Sequence, residues 1–158
     1  MARLAEAIDA DLAGRPVLLV GVLKGSIFFL SDLARRLRGP VTIDFLQASS
    51  YGAAHRSSGN VRMVGDLAID VTGRHVVVVE DVVDSGRTLS KILALLRTRS
   101  PATLRVCALL RKRGAPSDPP VDWVGFEIDD RFVVGYGLDL AEEYRNLPYV
   151  AAIEGGNE

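Results

Sequence analysis

The sequence predicts a single α/β domain with a mostly parallel central sheet flanked by helices. Three observations point there. The chain has 158 residues, the length of one domain, and 48% of them are hydrophobic, enough to fill a core. The runs Val17–Leu23, Val76–Val79 and Leu104–Leu110 are apolar without alternation, as expected of strands covered on both faces. Segments of helical periodicity lie between them, so strand and helix alternate along the chain.

Each element follows from its own pattern. Residues 3–13 place Leu4, Ile8 and Leu12 on one helical stripe, with Gly14 as the expected stop. Val17–Leu23 is the first strand. Lys24-Gly25-Ser26 turns the chain into a helix carrying Leu30, Leu33, Ala34 and Leu37, with Ser26 as its natural N-cap and Gly39-Pro40 closing it. Val41, Ile43 and Phe45 alternate with polar residues, which makes a second strand. Residues 47–60 are small, polar and aperiodic, and are expected to form a mobile loop. Segment 61–71 should hold one or two short strands. After Val76–Val79, a turn from Asp81 to Gly86 leads into a helix with the stripe Leu89, Ile92, Leu93 and Leu96. Leu104–Leu110 is the next strand and 114–120 a proline-rich loop. Strands follow around Trp123–Phe126, Phe132–Val134 and Tyr149–Ile153. In sheets of this kind ligands sit beyond the carboxyl ends of the strands, which selects the turns that matter.

Composition excludes several classes. A formal net charge of −1 gives no global field towards nucleic acid or an anionic membrane. No apolar stretch reaches the ~20 residues that cross a bilayer. Met1–Leu12, with acids at Glu6, Asp9 and Asp11, does not read as a signal peptide, so a soluble cytoplasmic protein is expected. The single cysteine, Cys107, lies in the apolar run Val106–Leu110, fits a reducing compartment, and reads as a buried, inert thiol. His55 and His75 read as surface residues. Six cations and no acid lie between Arg97 and Arg113, which on composition alone is a solvated basic edge.

The turn after Val76–Val79 carries the chemistry. It reads Glu80-Asp81-Val82-Val83-Asp84-Ser85-Gly86-Arg87-Thr88. Ser85, Gly86 and Thr88 can offer hydroxyls and backbone N–H groups to a phosphate at a helix N-terminus, where the dipole also favours negative charge. Glu80 and Asp81 could hold the vicinal hydroxyls of a sugar or a hydrated cation. Taken generically, the same residues make an ordinary acidic turn with Asp84 or Ser85 capping the next helix.

An apolar strand, then Glu-Asp, two aliphatics and Asp-Ser-Gly-Arg-Thr resembles the signature of the type I phosphoribosyltransferases, in the form of their hypoxanthine-guanine branch. The resemblance runs over nearly the whole chain. It implies that family's fold, with a small hood built from the N- and C-terminal segments, over one domain spanning 1–158. It also implies an activity: transfer of phosphoribose from phosphoribosyl pyrophosphate to a 6-oxopurine, giving IMP or GMP, with magnesium (Mg2+).

Site residues follow by position. Glu80 and Asp81 would meet the ribose hydroxyls and the metal. Asp84, Ser85, Gly86, Arg87 and Thr88 would grip the 5′-phosphate, with Asp84 as the general base facing purine N7. Val22-Leu23-Lys24-Gly25-Ser26 resembles the family's pyrophosphate loop, so Lys24 and Gly25 would bind the leaving group, and the Lys24–Gly25 peptide would be cis. Ser49-Ser50-Tyr51-Gly52 resembles the loop that closes over the reaction centre, which assigns Ser50 and Tyr51 to substrate. Lys112 would donate to the purine O6, favouring 6-oxopurines over adenine. Phe132 would stack on the base, with Val133 offering backbone groups to its edge. Asp139 would hold a second magnesium through water, and Arg145 would meet the pyrophosphate. Without the family, Phe132 reads as a core aromatic and Asp139 with Arg145 as a surface pair. The family's usual strand ahead of its first helix has no counterpart in this sequence, which bears on the hood and purine affinity.

The family's habit implies a homodimer or homotetramer, with no nucleic acid or membrane partner. Two rivals remain open at this level: a phosphoribosyltransferase for xanthine or a pyrimidine, and a regulator of the same fold that binds RNA through 97–113.

Overall fold

The computed structural model describes residues 1–50, 61–115 and 119–153. Its main sheet has six strands in the order β3-β2-β1-β4-β5-β6. They are β1 Val17–Leu23, β2 Val41–Ser50, β3 Val61–Gly65, β4 His75–Val83, β5 Thr103–Lys112 and β6 Trp123–Ile128. All neighbours are parallel except β2 and β3. Three helices serve it: α1 Ala2–Leu12, α2 Ile27–Ala34 and α3 Arg87–Arg97.

The unbroken apolar runs are explained by two cores, one on each face. Val17 and Leu19 of β1 point to a core with Leu4, Ile8 and Leu12 of α1 and Phe29, Leu30 and Leu33 of α2. Leu18 and Val20, the alternate residues, meet Leu89, Ile92, Leu93 and Leu96 of α3. A strand sandwiched this way has no solvent face to code with polar residues. The chain leaves β1 towards β2 and then returns to place β4 on the other side of β1. The carboxyl ends of β1 and β4 therefore flank the switch point where such sheets bind ligands.

Several boundaries depart from the sequence reading. β2 continues through Gln47 to Ser50, into the segment expected to be a loop, because its backbone pairs antiparallel with β3 from Gln47↔Gly65 to Ser50↔Val61. The remainder of that segment, 51–60, lies outside the described residues. β4 continues past Asp81 to Val83, since its ladder with β5 runs on through Val82↔Leu110 and Val83↔Arg111. Helix α1 stops one residue early, with Ala13 in the left-handed region as its C-cap. Ser26 holds the N-cap position of α2, but its buried hydroxyl donates back to Val22 O at 2.7 Å.

A second, two-stranded sheet pairs β7 Val133–Val134 with β8 Ala151–Ala152, shorter than the strands expected there. The intervening chain is consumed by turns, with positive φ at Gly135, Tyr136, Gly137, Ala141, Glu142 and Tyr144. Among the described residues no helix is long and apolar enough to cross a membrane.

Candidate active site

Two hollows open at the switch point, and Glu80 lines both. The larger, about 520 Å³, is lined by Lys24 and Gly25 after β1, Glu80 and Asp81 on β4, and Asp139, Glu142 and Arg145 from the C-terminal segment. The smaller, about 100 Å³, is lined by Val83 to Thr88.

Close backbone approach builds the larger hollow. A Cβ on Gly25 would overlap the Asp81 carboxylate, and a Cβ on Gly137 would overlap the Gly25 carbonyl. A side chain at position 25 would have to push the Asp81 carboxylate aside, so glycine is what lets the carboxyl ends of β1 and β4 come together. One expectation is corrected here: the cis peptide is Leu23–Lys24, not Lys24–Gly25. Gly25 answers to the space taken by Asp81, not to the cis bond.

The carboxylates differ in environment. Glu80 is 6% exposed and its Oε2 has no hydrogen-bond partner among the described residues. Burial, reinforced by the Asp81 charge, pushes its pKa well above 4.5. Burial also raises Asp81, opposed in part by the Val82 N–H, which donates to Asp81 Oδ1 at 2.8 Å. A buried oxygen with nothing to bind costs free energy, so this position suits a hydroxyl donor or a cation.

Across the hollow stands a chain of ion pairs. Arg145 Nη2 meets Asp139 Oδ1 at 2.8 Å and Glu142 Oε2 at 3.2 Å, and Lys24 Nζ meets the same Glu142 oxygen at 2.8 Å. Arg145 Nη1 donates to Gly137 O at 2.8 Å, while its Nε is buried without a partner among the described residues. Among the described residues no three His, Cys, Asp or Glu side chains cluster as a metal cage. Glu80, Asp81 and Asp139 are nevertheless hard oxygen donors, of the kind magnesium takes one or two at a time alongside phosphate oxygens.

The smaller hollow is a helix N-terminus. Gly86, at φ 67°, is the N-cap of α3, and no side chain caps it. The generic reading of this turn, with Asp84 or Ser85 as the cap, therefore does not hold. The first-turn N–H groups of α3 are thus left for an anion, with Ser85 and Thr88 beside them.

Asp84 itself is exposed and lies 3.1 Å from Lys112 Nζ, which also binds Asp130 at 2.7 Å. Burial lowers the Lys112 pKa, but the bonds to Asp130 and Asp84 outweigh it and leave the ammonium above its ordinary value. Phe132, two residues past Asp130, is 47% exposed and so is not a core residue. Ile153 N–H donates to Phe132 O at 3.0 Å, which makes Val133↔Ala152 a pair whose own N–H and C=O groups point away from each other. Phe132 and Val133 line neither hollow. The side chain of Ser50 and all of Tyr51 and His55 lie outside what is described.

The sequence reading missed Glu142 and Asp130. Both contact residues distant in the chain, and an exposed acid in a charged stretch gives no signal of its own. His75 proves to be a half-buried structural residue, its Nδ1 2.9 Å from Thr103 Oγ1. Cys107 is buried, and burial pushes its thiol up to about 12. The basic run is largely neutralised. Arg99 pairs with Asp66, Arg105 with Asp11, Lys112 with Asp84 and Asp130, and Arg113 with Asp129. That leaves little of the unpaired charge that phosphate-backbone binding needs.

Comparison with known proteins gives one consistent result. A family model described as phosphoribosyl transferase domain matches residues 1–141. The hypoxanthine-guanine phosphoribosyltransferase of Mycobacterium avium is 51% identical over 144 residues, covering 89% of this chain and 70% of that protein. The hypoxanthine phosphoribosyltransferase of Salmonella typhimurium is 46% identical over 142 residues, covering 89% and 80%. Among solved structures, a hypoxanthine-guanine phosphoribosyltransferase from Bacillus anthracis superposes with TM-score 0.91 at 42% identity, covering 97% of this chain and 91% of that one. A hypoxanthine phosphoribosyltransferase from Trypanosoma cruzi, solved with the product IMP, gives 0.89 at 38% identity, covering 99% and 89%.

Proposed function

The chain belongs to the phosphoribosyl transferase family, and from that membership we propose a purine-salvage enzyme joining hypoxanthine or guanine to phosphoribosyl pyrophosphate. One observation carries the reading into this chain: Glu80, buried with an unpartnered oxygen, stands between the two hollows. A phosphorylated sugar needs that layout, with its ribose at Glu80 and Asp81, its 5′-phosphate at Asp84–Thr88, and its pyrophosphate at Lys24, Gly25 and Arg145.

Glu80, Asp81 and Asp139 are the residues that would hold Mg2+, together with substrate oxygens. The ion supplies charge neutralisation of the leaving pyrophosphate. The rest falls to the protein. The α3 N-terminus and the Ser85 and Thr88 hydroxyls fix the 5′-phosphate, with Arg87 adding a donor. Glu80 and Asp81 fix the ribose hydroxyls, orienting C1′ for displacement of pyrophosphate by a purine nitrogen. Asp84 takes the proton from purine N7. Lys112 donates to O6 from its place beside Asp84, 3.1 Å away. Phe132 covers one face of the base, and Val133 offers outward-pointing backbone groups to its edge. The Ser50–Tyr51 segment is assigned the closure that excludes water. Exposed Ile27 and Phe28, directly after the Lys24 loop, support the expected homodimer or homotetramer.

The test is a substrate panel. The protein is incubated with phosphoribosyl pyrophosphate, magnesium and, separately, hypoxanthine, guanine, xanthine, adenine and uracil, with nucleotides resolved by chromatography. IMP and GMP are expected, and no AMP or UMP. Nucleotide from adenine or uracil alone would overturn the reading.

A further inference from the structure

Glu142 lines the larger hollow and bridges two of its cations. Its Oε2 accepts from Lys24 Nζ at 2.8 Å and from Arg145 Nη2 at 3.2 Å. Lys24 precedes Glu142 by 118 positions, so the contact exists only in the folded protein. The backbone is bent to deliver it: Ala141, Glu142 and Tyr144 have φ of 51°, 70° and 70°, a region side chains disfavour. The Glu142 N–H is anchored on Asp139 Oδ2 at 2.9 Å, and Asp139 in turn holds Arg145. Bonds from Lys24 and Arg145 hold the Glu142 carboxyl below its ordinary range. The side chain remains 65% exposed, so nothing but these cations fixes it among the described residues.

Lys24 and Arg145 are the two cations that the proposed function gives to pyrophosphate, and this inference rests on that reading. An anion already bridges them. We propose that Glu142 is an internal stand-in for the leaving group. It ties Lys24 to Arg145 while the site is free, and pyrophosphate, alone or on the sugar, must displace it to bind. The role is one of tuning affinity: Glu142 touches no reacting atom, and its bridge between Lys24 and Arg145 re-forms when pyrophosphate leaves. An anion reaching only one of the cations cannot release the bridge as fully, so Glu142 also favours a diphosphate over a monophosphate.

The size of the effect follows from the pairs. Exposed ion pairs contribute little individually, and two of them are given up. Neutralising Glu142 should therefore tighten pyrophosphate roughly three- to ten-fold. The experiment titrates magnesium pyrophosphate calorimetrically into the wild-type protein, Glu142→Gln and the neighbouring control Glu143→Gln. Thermal midpoints confirm that all three are folded. The expected result is a three- to ten-fold lower Kd for Glu142→Gln only, with a matching fall in KM for phosphoribosyl pyrophosphate and no rise in kcat. Equal or weaker binding by Glu142→Gln would overturn the proposal, with weaker binding making Glu142 a prop for the cations. Pyrophosphate that bound none of the three proteins would instead overturn the assignment of the cleft.

Discussion

Replacing Glu80 by methionine should make the free protein more stable and the enzyme worse. Glu80 is 6% exposed, its Oε2 has no partner among the described residues, and Asp81 adds a like charge beside it. A buried unsatisfied polar group costs about 1–3 kcal/mol, and methionine removes it with little change of volume. In a domain of this size 1 kcal/mol moves Tm by about 2–4 °C, so Glu80→Met should raise Tm by roughly 3–10 °C in differential scanning calorimetry.

Its pH dependence has a fixed sign. The folded pKa lies above the unfolded value near 4.5, so the contribution of Glu80 to stability is fully present below that value. It is lost as pH rises through the elevated folded pKa. The advantage of Glu80→Met should therefore be small at acid pH and grow towards neutrality. Binding moves the other way: losing charge-assisted bonds to the ribose hydroxyls, about 1.5–3 kcal/mol, weakens phosphoribosyl pyrophosphate by roughly ten- to a hundred-fold. A lower Tm for Glu80→Met at neutral pH would refute the idea that this carboxylate is held open for a ligand.

Two further outcomes are specific. Asp84→Asn should reduce kcat by about 10²–10⁴-fold while changing KM for phosphoribosyl pyrophosphate little, and, since Asp84 is exposed, Tm should barely move; steady-state kinetics with unchanged turnover would remove it from the role of base. Gly25→Ala forces a methyl group into the Asp81 carboxylate, so kcat/KM for phosphoribosyl pyrophosphate should fall by about 10²-fold or more; a fully active variant would show that the two strand ends do not meet as described.

How much of this was legible in the sequence depended on where each signal resides. Val17–Leu23 is recovered to the residue because burial on both faces leaves an unbroken apolar run. The polar end of β2, Gln47 to Ser50, carries no such mark: its strand state comes from backbone bonds to β3, which local periodicity cannot report. The same holds for Val82 and Val83, kept extended by β5 instead of turning at Asp81. For the site, Glu80, Asp81, Lys24, Asp139 and Arg145 were legible as motif positions, and the fold brings them around one cleft. Glu142 and Asp130 were not, because their meaning lies in cations far away in the chain. Gly25 was legible as a turn residue but for a different reason, since the demand for glycine comes from Asp81 on another strand.

The larger hollow alternates charge around its wall instead of concentrating one sign. Lys24 meets Glu142, Glu142 meets Arg145, Arg145 meets Asp139, and Asp81 presses on Gly25. An all-cationic pocket would bind pyrophosphate as product as tightly as the same group on the substrate, which lowers KM without raising kcat. Pre-paired cations remove part of that uniform affinity, because an incoming anion exchanges partners and does not simply add them. Glu80 is the opposite case, a buried carboxyl whose Oε2 has no partner among the described residues and which the proposed function gives to the ribose hydroxyls. In the proposed function, binding free energy is thereby shifted away from the pyrophosphate group, which must leave, and towards the ribose, whose orientation decides whether C1′ reacts.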